Sequence, residues 1–223
     1  MRKMMGFVLA GAAAFALTAC SGSNASQSTE AAATTVPETQ TEAAAETESG
    51  SYTVTDVRGK KIEFDAVPER VATVGKPFLS IYYAIEGATD NIVGCNPSSI
   101  TAYNESVLKD MYPQVENAET DWCTKDSTVN VEELLKLRPD VVFIYSTKDK
   151  EIEKMENAGL KVAALRSAEL DSVKENLQIM SAVCQREERG EQLVQYIDEE
   201  IEKVTSRLAD VAEEDKPTEE RYA

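Results

Sequence analysis

The sequence predicts an α/β fold: a parallel sheet flanked by helices, followed by a long helix. Three patterns carry this expectation. Val71–Val74, Ile92–Gly94, Val141–Tyr145 and Val162–Leu165 are short runs that are apolar on both faces. Helical segments alternate with them. Strands buried on both faces and separated by helices require a parallel sheet covered on each side. Near the end, Val194, Ile197, Ile201, Val204, Leu208 and Val211 recur at three- and four-residue spacing, which forms one stripe along a helix.

Taken in order, the chain starts with basic Arg2 and Lys3 and an apolar stretch from Phe7 to Leu17, the pattern of a secretory signal over residues 1–19. That stretch is too short to cross a bilayer, which takes about 20 apolar residues. Residues 20–50 are rich in Ser, Thr, Ala, Glu and Gln and cannot bury enough surface to offset ordering entropy, so they read as a disordered tether. Tyr52–Thr55 and Lys61–Phe64 alternate around the turn Asp56–Gly59 and predict a β-hairpin. The α/β part then runs to residue 171. Its helices are expected over Pro77–Glu86, Val131–Leu137 before Pro139, and Glu151–Ala158 before Gly159. A helical segment follows over 172–215. Ser172 with Glu175 reads as a capping box for its first helix. The last helix, Glu187–Glu214, is about 40 Å long at 1.5 Å per residue. Lys216-Pro217 stops it.

Composition narrows the chemistry. The 223 residues carry a formal charge of −17, and loss of Arg2 and Lys3 with a cleaved signal takes it to −19. Such a chain is a poor ligand for nucleic acid. It contains no histidine, which removes the commonest general base and metal ligand, and with them a zinc site, a Ser-His-Asp triad and a Cys-His dyad. No resident cofactor or metal is expected, and no catalytic residue. After Cys20 three cysteines remain: Cys95, Cys123 and Cys184. An exported compartment permits a Cys95–Cys123 disulfide, which the spacing does not require.

Leu17-Thr18-Ala19-Cys20 at the end of the signal resembles the lipobox of bacterial lipoproteins. The resemblance implies cleavage before Cys20, acylation of Cys20, and a lipid-anchored domain on the extracytoplasmic face of the cell membrane. Four further phrases belong together: Val67-Pro-Glu-Arg-Val71, Glu86-Gly-Ala-Thr-Asp-Asn-Ile-Val-Gly94, Asn130-Val-Glu-Glu-Leu-Leu-Lys-Leu-Arg-Pro-Asp-Val-Val142 and Asn157-Ala-Gly-Leu-Lys-Val162. In this order they resemble the substrate-binding proteins of ABC importers for iron–siderophores, haem and cobalamin. The resemblance implies a two-lobe protein with ligand between the lobes, of which this chain holds the first lobe, the inter-lobe helix and, at 216–223, the start of a second. It also implies an ABC permease as partner, on whose arginines Glu132 docks. The helix dipole explains an acidic residue at that place equally well, and Glu133 is placed to serve either role.

Ligands of open α/β sheets bind beyond the carboxyl ends of the strands. The loops there carry Lys76, Phe78, Asn96, Trp122, Lys125, Tyr145, Lys148 and Arg166. Cations interleaved with flat rings suit an anionic, partly aromatic ligand, such as a ferric siderophore or another metal chelate. Each residue has a plainer alternative: a loop lysine is usually solvated, Phe78 staples its helix, Trp122 packs, and Tyr145 ends a buried strand with its ring in the core. The competing functions are an adhesion or interaction lipoprotein, a truncated lobe without function, and an enzyme on the same scaffold. The enzyme lacks histidine, a phosphate-cradling glycine loop and a nucleophile elbow.

Overall fold

A computed structural model of the chain describes residues 50–87, 89–167, 169–209 and 211–212. The signal, Cys20, nearly all of the tether and the start of a second lobe lie outside the described residues. The expected hairpin is present: β1 (Tyr52–Thr55) pairs antiparallel with β2 (Lys61–Phe64). Gly59 supplies the left-handed residue of its turn, at φ 77°. The parallel sheet is built from β3 (Val71–Thr73), β4 (Ile92–Cys95), β5 (Val141–Tyr145) and β6 (Val162–Leu165), in the order β4-β3-β5-β6.

Helices cover both faces, as strands apolar on two sides require. On one face α1 (Phe78–Glu86), α6 (Leu170–Val183) and the start of α7 (Glu187–Leu208) pack with the hairpin against Val71, Val141, Phe143, Ala163 and Leu165. On the other, α4 (Val131–Lys136) and α5 (Asp149–Asn157) pack against Ala72, Val74, Val142, Ile144, Val162 and Ala164. The alternation along β5 divides its side chains between the two cores.

Three expectations are corrected. Residues after Asn96 are not a loop: α2 (Pro97–Asn104), α3 (Leu108–Met111) and a 3-10 turn (Pro113–Asn117) follow. Their apolar spacing is too weak to announce them, and the start is set by Asn96 as N-cap with Pro97 at the first helical position. The capping box at Ser172 does not form. The helix starts earlier, at Leu170 with Glu169 as N-cap, and Glu175 instead pairs with Arg166 at 2.5 Å. The last helix ends at Leu208 with Ala209 as C-cap rather than running to Glu214. Its 22 residues make about 33 Å. Val194 and Ile197 of its stripe pack on the core, whereas Val204 is 56% exposed.

A close approach fixes how α6 and α7 meet. A Cβ added to Gly190 would fall 2.2 Å from Ser181 Oγ, so only glycine lets the two helices cross there.

The hairpin is locked to the sheet by one buried carboxylate. Asp56 Oδ2 accepts from Arg58 Nε (2.8 Å), Arg58 Nη2 (2.6 Å) and the Ala164 N–H of β6 (3.1 Å), while Oδ1 accepts from the backbone N–H groups of Arg58 and Lys60. Arg58 and Lys60 then reach Glu156 of α5 at 2.9 and 2.8 Å. Burial pushes the Glu156 carboxyl up, but Lys60 and Arg58 outweigh it and hold it below its ordinary 4.5. We expect Asp56→Ala to cost about 3 kcal/mol or more, because removing one partner strands the others. Chemical denaturation read by circular dichroism measures it. A group depressed on folding stabilises above its unfolded pKa and loses that contribution as pH falls through the folded value. Wild type should therefore exceed Glu156→Gln in stability above about pH 4.5, with the gap closing in more acid solution; an unchanged gap at pH 3 would refute the pairing.

Candidate ligand-binding site

From β3 the chain goes first to β4 on one side and later to β5 on the other, so the topological switch lies between β3 and β5. That is where an open α/β sheet places its ligand crevice. Beyond it lie the loops Val74–Pro77 and Ser146–Lys148 and the start of α2, Asn96–Ser99. A turn, Thr124–Thr128, sits over them. Within the turn Thr124 N–H donates to the Thr128 carbonyl (2.9 Å), Ser127 N–H to the Thr124 carbonyl (2.9 Å) and Thr128 N–H to Thr124 Oγ1 (3.0 Å). Ser127 takes a left-handed φ of 70° to close it. Both threonine hydroxyls donate to the Asp126 carboxylate, and the Thr124 bond holds that carboxyl below its usual range.

Side chains tie this turn to its surroundings. Asn96 Nδ2 donates to the carbonyls of Val74 (2.9 Å) and Thr124 (3.1 Å), and its Oδ1 accepts from Ser98 N–H (2.8 Å). Ser127 Oγ donates to the Val74 carbonyl at 3.4 Å, and Lys148 Nζ to the Asp126 carbonyl at 2.6 Å. Ser99 Oγ holds the Lys76 carbonyl at 3.0 Å. A shallow cavity of about 350 Å³ opens beside the turn, lined by Ser127, Thr128, Thr147, Lys148 and Lys150 and by the acidic Asp149 and Glu151. A larger one, about 520 Å³, lies at the opposite edge of the sheet, near Val67, Pro139 and Lys161. We place the candidate site at the carboxyl edge, where the switch point lies.

The structure sorts the expected residues into two groups. Lys76 and Lys125 are exposed, and their ammonium groups make no ion pair among the described residues. Lys148 is half-buried and partly engaged with the turn. Arg166 is exposed at the end of β6, paired with Glu175. The aromatic residues turn inward. Phe78 is fully buried and packs on Tyr145 with ring centroids 4.7 Å apart. It fills the space beside Gly75, where a Cβ would fall 2.4 Å from its ring. Trp122 is 1% exposed, donates Nε1–H to the Glu119 carbonyl (2.9 Å) and lies against Gly94. Tyr145 is half-buried with its ring against the core. Asn96, 1% exposed, has all its bonding groups engaged with protein. The stacking faces expected of this rim are thus core, and what it presents is ammonium and hydroxyl groups with the carboxylates of Asp126, Asp149 and Glu151 close by. Thr124, Ser127, Thr128 and Thr147 were missed; the run Thr-Lys-Asp-Ser-Thr at 124–128 was their signal, being made of turn-forming residues.

Cys95 and Cys123 are free, buried thiols, each pushed up to about 12, Cys95 by burial and Cys123 by burial with Cys95 nearby. Asn130 caps α4 and Glu132 lies exposed in its first turn, without an ion pair among the described residues. Glu133 gives both oxygens to Lys136 at 2.7 Å. No described helix is long and apolar enough to cross a membrane.

No curated protein matches the chain significantly. Among solved structures, it resembles a periplasmic solute binding protein from Veillonella parvula, with 27% identity and a TM-score of 0.70 over 75% of this chain and 50% of that one. It also resembles the molybdate periplasmic binding protein MolA of Haemophilus influenzae, with 22% identity, TM-score 0.60, and 73% and 55% covered. A third is the periplasmic vitamin B12 binding protein BtuF of Vibrio cholerae, with 18% identity, TM-score 0.51, and 65% and 52% covered. The last two likenesses show the fold. The chain spans about half the length of each of these structures. A family model described as periplasmic binding protein matches residues 71–218, more than half of the chain, and the chain belongs to that family.

Proposed function

We propose that this chain is the first lobe and connecting helix of a solute-binding protein of an ABC importer, one that holds an anionic metal chelate, a ferric siderophore above all, and hands it to a permease. Its part is binding rather than catalysis. The observation that carries this reading is the rim of Lys76 and Lys125, unpaired among the described residues, with Lys148 at the switch point, on a chain of net charge −17. Free cations grouped at one edge of an acidic body concentrate anions there. With Phe78 and Trp122 buried, charge-assisted hydrogen bonds rather than stacking supply this lobe's share of the affinity.

Isothermal titration with ferric catecholate, ferric hydroxamate, haem, cobalamin and molybdate tests the reading. For whichever is bound, the double substitution Lys76→Ala, Lys125→Ala should weaken affinity about a hundredfold or more, since each bond to a charged group is worth about 1.5–3 kcal/mol. Affinity that survives the double substitution removes the rim from the site.

The anchor is the lipid on Cys20, each acyl methylene contributing about 0.8 kcal/mol to membrane attachment. Cys20→Ala is expected to move the protein from the membrane to the soluble fraction; equal membrane retention of both forms refutes it.

The permease contact is Glu132, whose carboxylate is exposed and without an ion pair among the described residues, whereas its neighbour is spent on Lys136. Glu132→Ala should lower ligand uptake by cells carrying the cognate permease, with Glu133→Ala close to wild type. The reverse ranking assigns docking to Glu133.

A further inference from the structure

The turn Thr124–Thr128 occupies the place where the sheet would otherwise open its crevice, and three different side chains join it to the carboxyl ends of three neighbouring strands. Beyond β4, Asn96 Nδ2 holds the Thr124 carbonyl. Beyond β3, the Val74 carbonyl accepts from Ser127 Oγ. Beyond β5, Lys148 Nζ holds the Asp126 carbonyl. We propose that this turn is a prebuilt floor of the ligand site and that Asn96 is the positioning residue that sets its place; the functional half of this rests on the binding role argued above.

The three fasteners are not equivalent. The Ser127 bond is long, at 3.4 Å, and that of Lys148 hangs on a flexible four-carbon stem. Asn96 is 1% exposed, and a single planar amide joins the end of β3, the turn and the first turn of α2. Buried in this way, its amide hydrogens cannot be given up to water, so breaking either bond strands a polar group. The network continues through Ser99, one residue beyond Ser98, to the Lys76 carbonyl. The backbones of the two rim lysines are thus tied close to this network: Lys125 follows Thr124, whose carbonyl Asn96 holds, and the Lys76 carbonyl is held by Ser99, three residues after Asn96. The side chain sets the spacing of the cations without touching the ligand.

An aspartate at 96 separates the two duties. It keeps an acceptor for Ser98 N–H and so keeps the cap of α2, but sets a carboxylate against the Val74 and Thr124 carbonyls where two donors had been. Hydrogen exchange on the full chain reads the result by residue. In Asn96→Asp, the Ser127 and Thr128 amides should exchange at least about tenfold faster, the scale of a lost buried hydrogen bond. The Ser98 and Ser99 amides and those of Val142 and Ile144 should keep wild-type rates. Ser127→Ala, a milder change, should speed the same turn amides by less. Unchanged turn amides, or a uniform rise across turn and sheet, overturn the positioning role. The binding arm titrates the same variants with the ferric catecholate complex and molybdate, and expects Asn96→Asp to weaken whichever binds about tenfold. A loosened turn with undiminished affinity overturns the floor. Wild type that binds neither anion even weakly, at a Kd of about 1 mM, overturns the anion-binding reading, and the exchange rates then decide the fastening alone.

Discussion

A parallel sheet of four strands with helices on both faces still has two open edges, and each exposes backbone donors and acceptors that must find partners. This chain closes both with its own irregular segments. On the β6 edge, Val57 N–H donates to the Ala164 carbonyl, and the Ala164 N–H is taken by Asp56 Oδ2. On the β4 edge, Cys95 N–H donates to the Glu119 carbonyl and Glu119 N–H to the Val93 carbonyl, so a single extended residue acts as a fifth strand. The Asp56 contact matters most, because the same carboxylate closes the hairpin turn, binds Arg58 and completes β6. Arg58 and Lys60 carry the link on to α5 through Glu156. Hairpin, sheet edge and one covering helix are thereby fixed relative to one another, and the carboxyl ends of the strands acquire definite positions.

Those positions decide what kind of site the lobe can make. Because the Thr124–Thr128 turn fills the switch point, the surface beyond the strands is broad and shallow rather than a slot. The cavity beside it, about 350 Å³, has one side open. A surface of this shape supplies directional charge-assisted contacts but does not exclude water from the far side of a ligand. Strong binding by such a floor calls for a second surface opposite, whatever supplies it, because the worth of each ammonium contact rises as water is removed. The geometry thus agrees with a chain that spans about half the length of its solved relatives.

How legible all this was depended on whether the deciding interaction was local. β5 could be read directly, since five consecutive apolar residues in a short run have little alternative to a buried strand. The hairpin and Gly59 followed from turn chemistry. Asp56 read only as a turn residue, because its decisive partner lies 108 residues away at Ala164. The Ser172 capping box was a sound local pattern overridden by a longer-range pair, Arg166 with Glu175. In the site, the lysines lie at the surface or half-buried, and the rings took the packing role that had stood open beside binding, for one reason. A large ring in a loop of the sequence has no visible core to enter. The rooms that Phe78 and Trp122 occupy exist because Gly75 and Gly94 lack side chains there. Asn96 was singled out for its polarity alone; its partners could not be read, since they include two carbonyls that no spacing rule connects to it.

Charge distribution and rigidity then act together. Most carboxylates of α7 and α5 lie on exposed faces, and several lysines are held by nearby acids: Lys136 by Glu133, Lys154 by Glu151, Lys174 by Asp198 and Lys203 by Glu200. Lys76 and Lys125 stand apart because the nearest carboxylate in the turn, Asp126, is already claimed by Thr124 and Thr128. Two hydroxyls thus do what a lysine would otherwise do, and the cations are left for a ligand. The same bonds that keep Asp126 occupied keep the turn in shape. A surface that is both cationic and stiff binds an anion with little ordering cost, and here one short turn provides both properties.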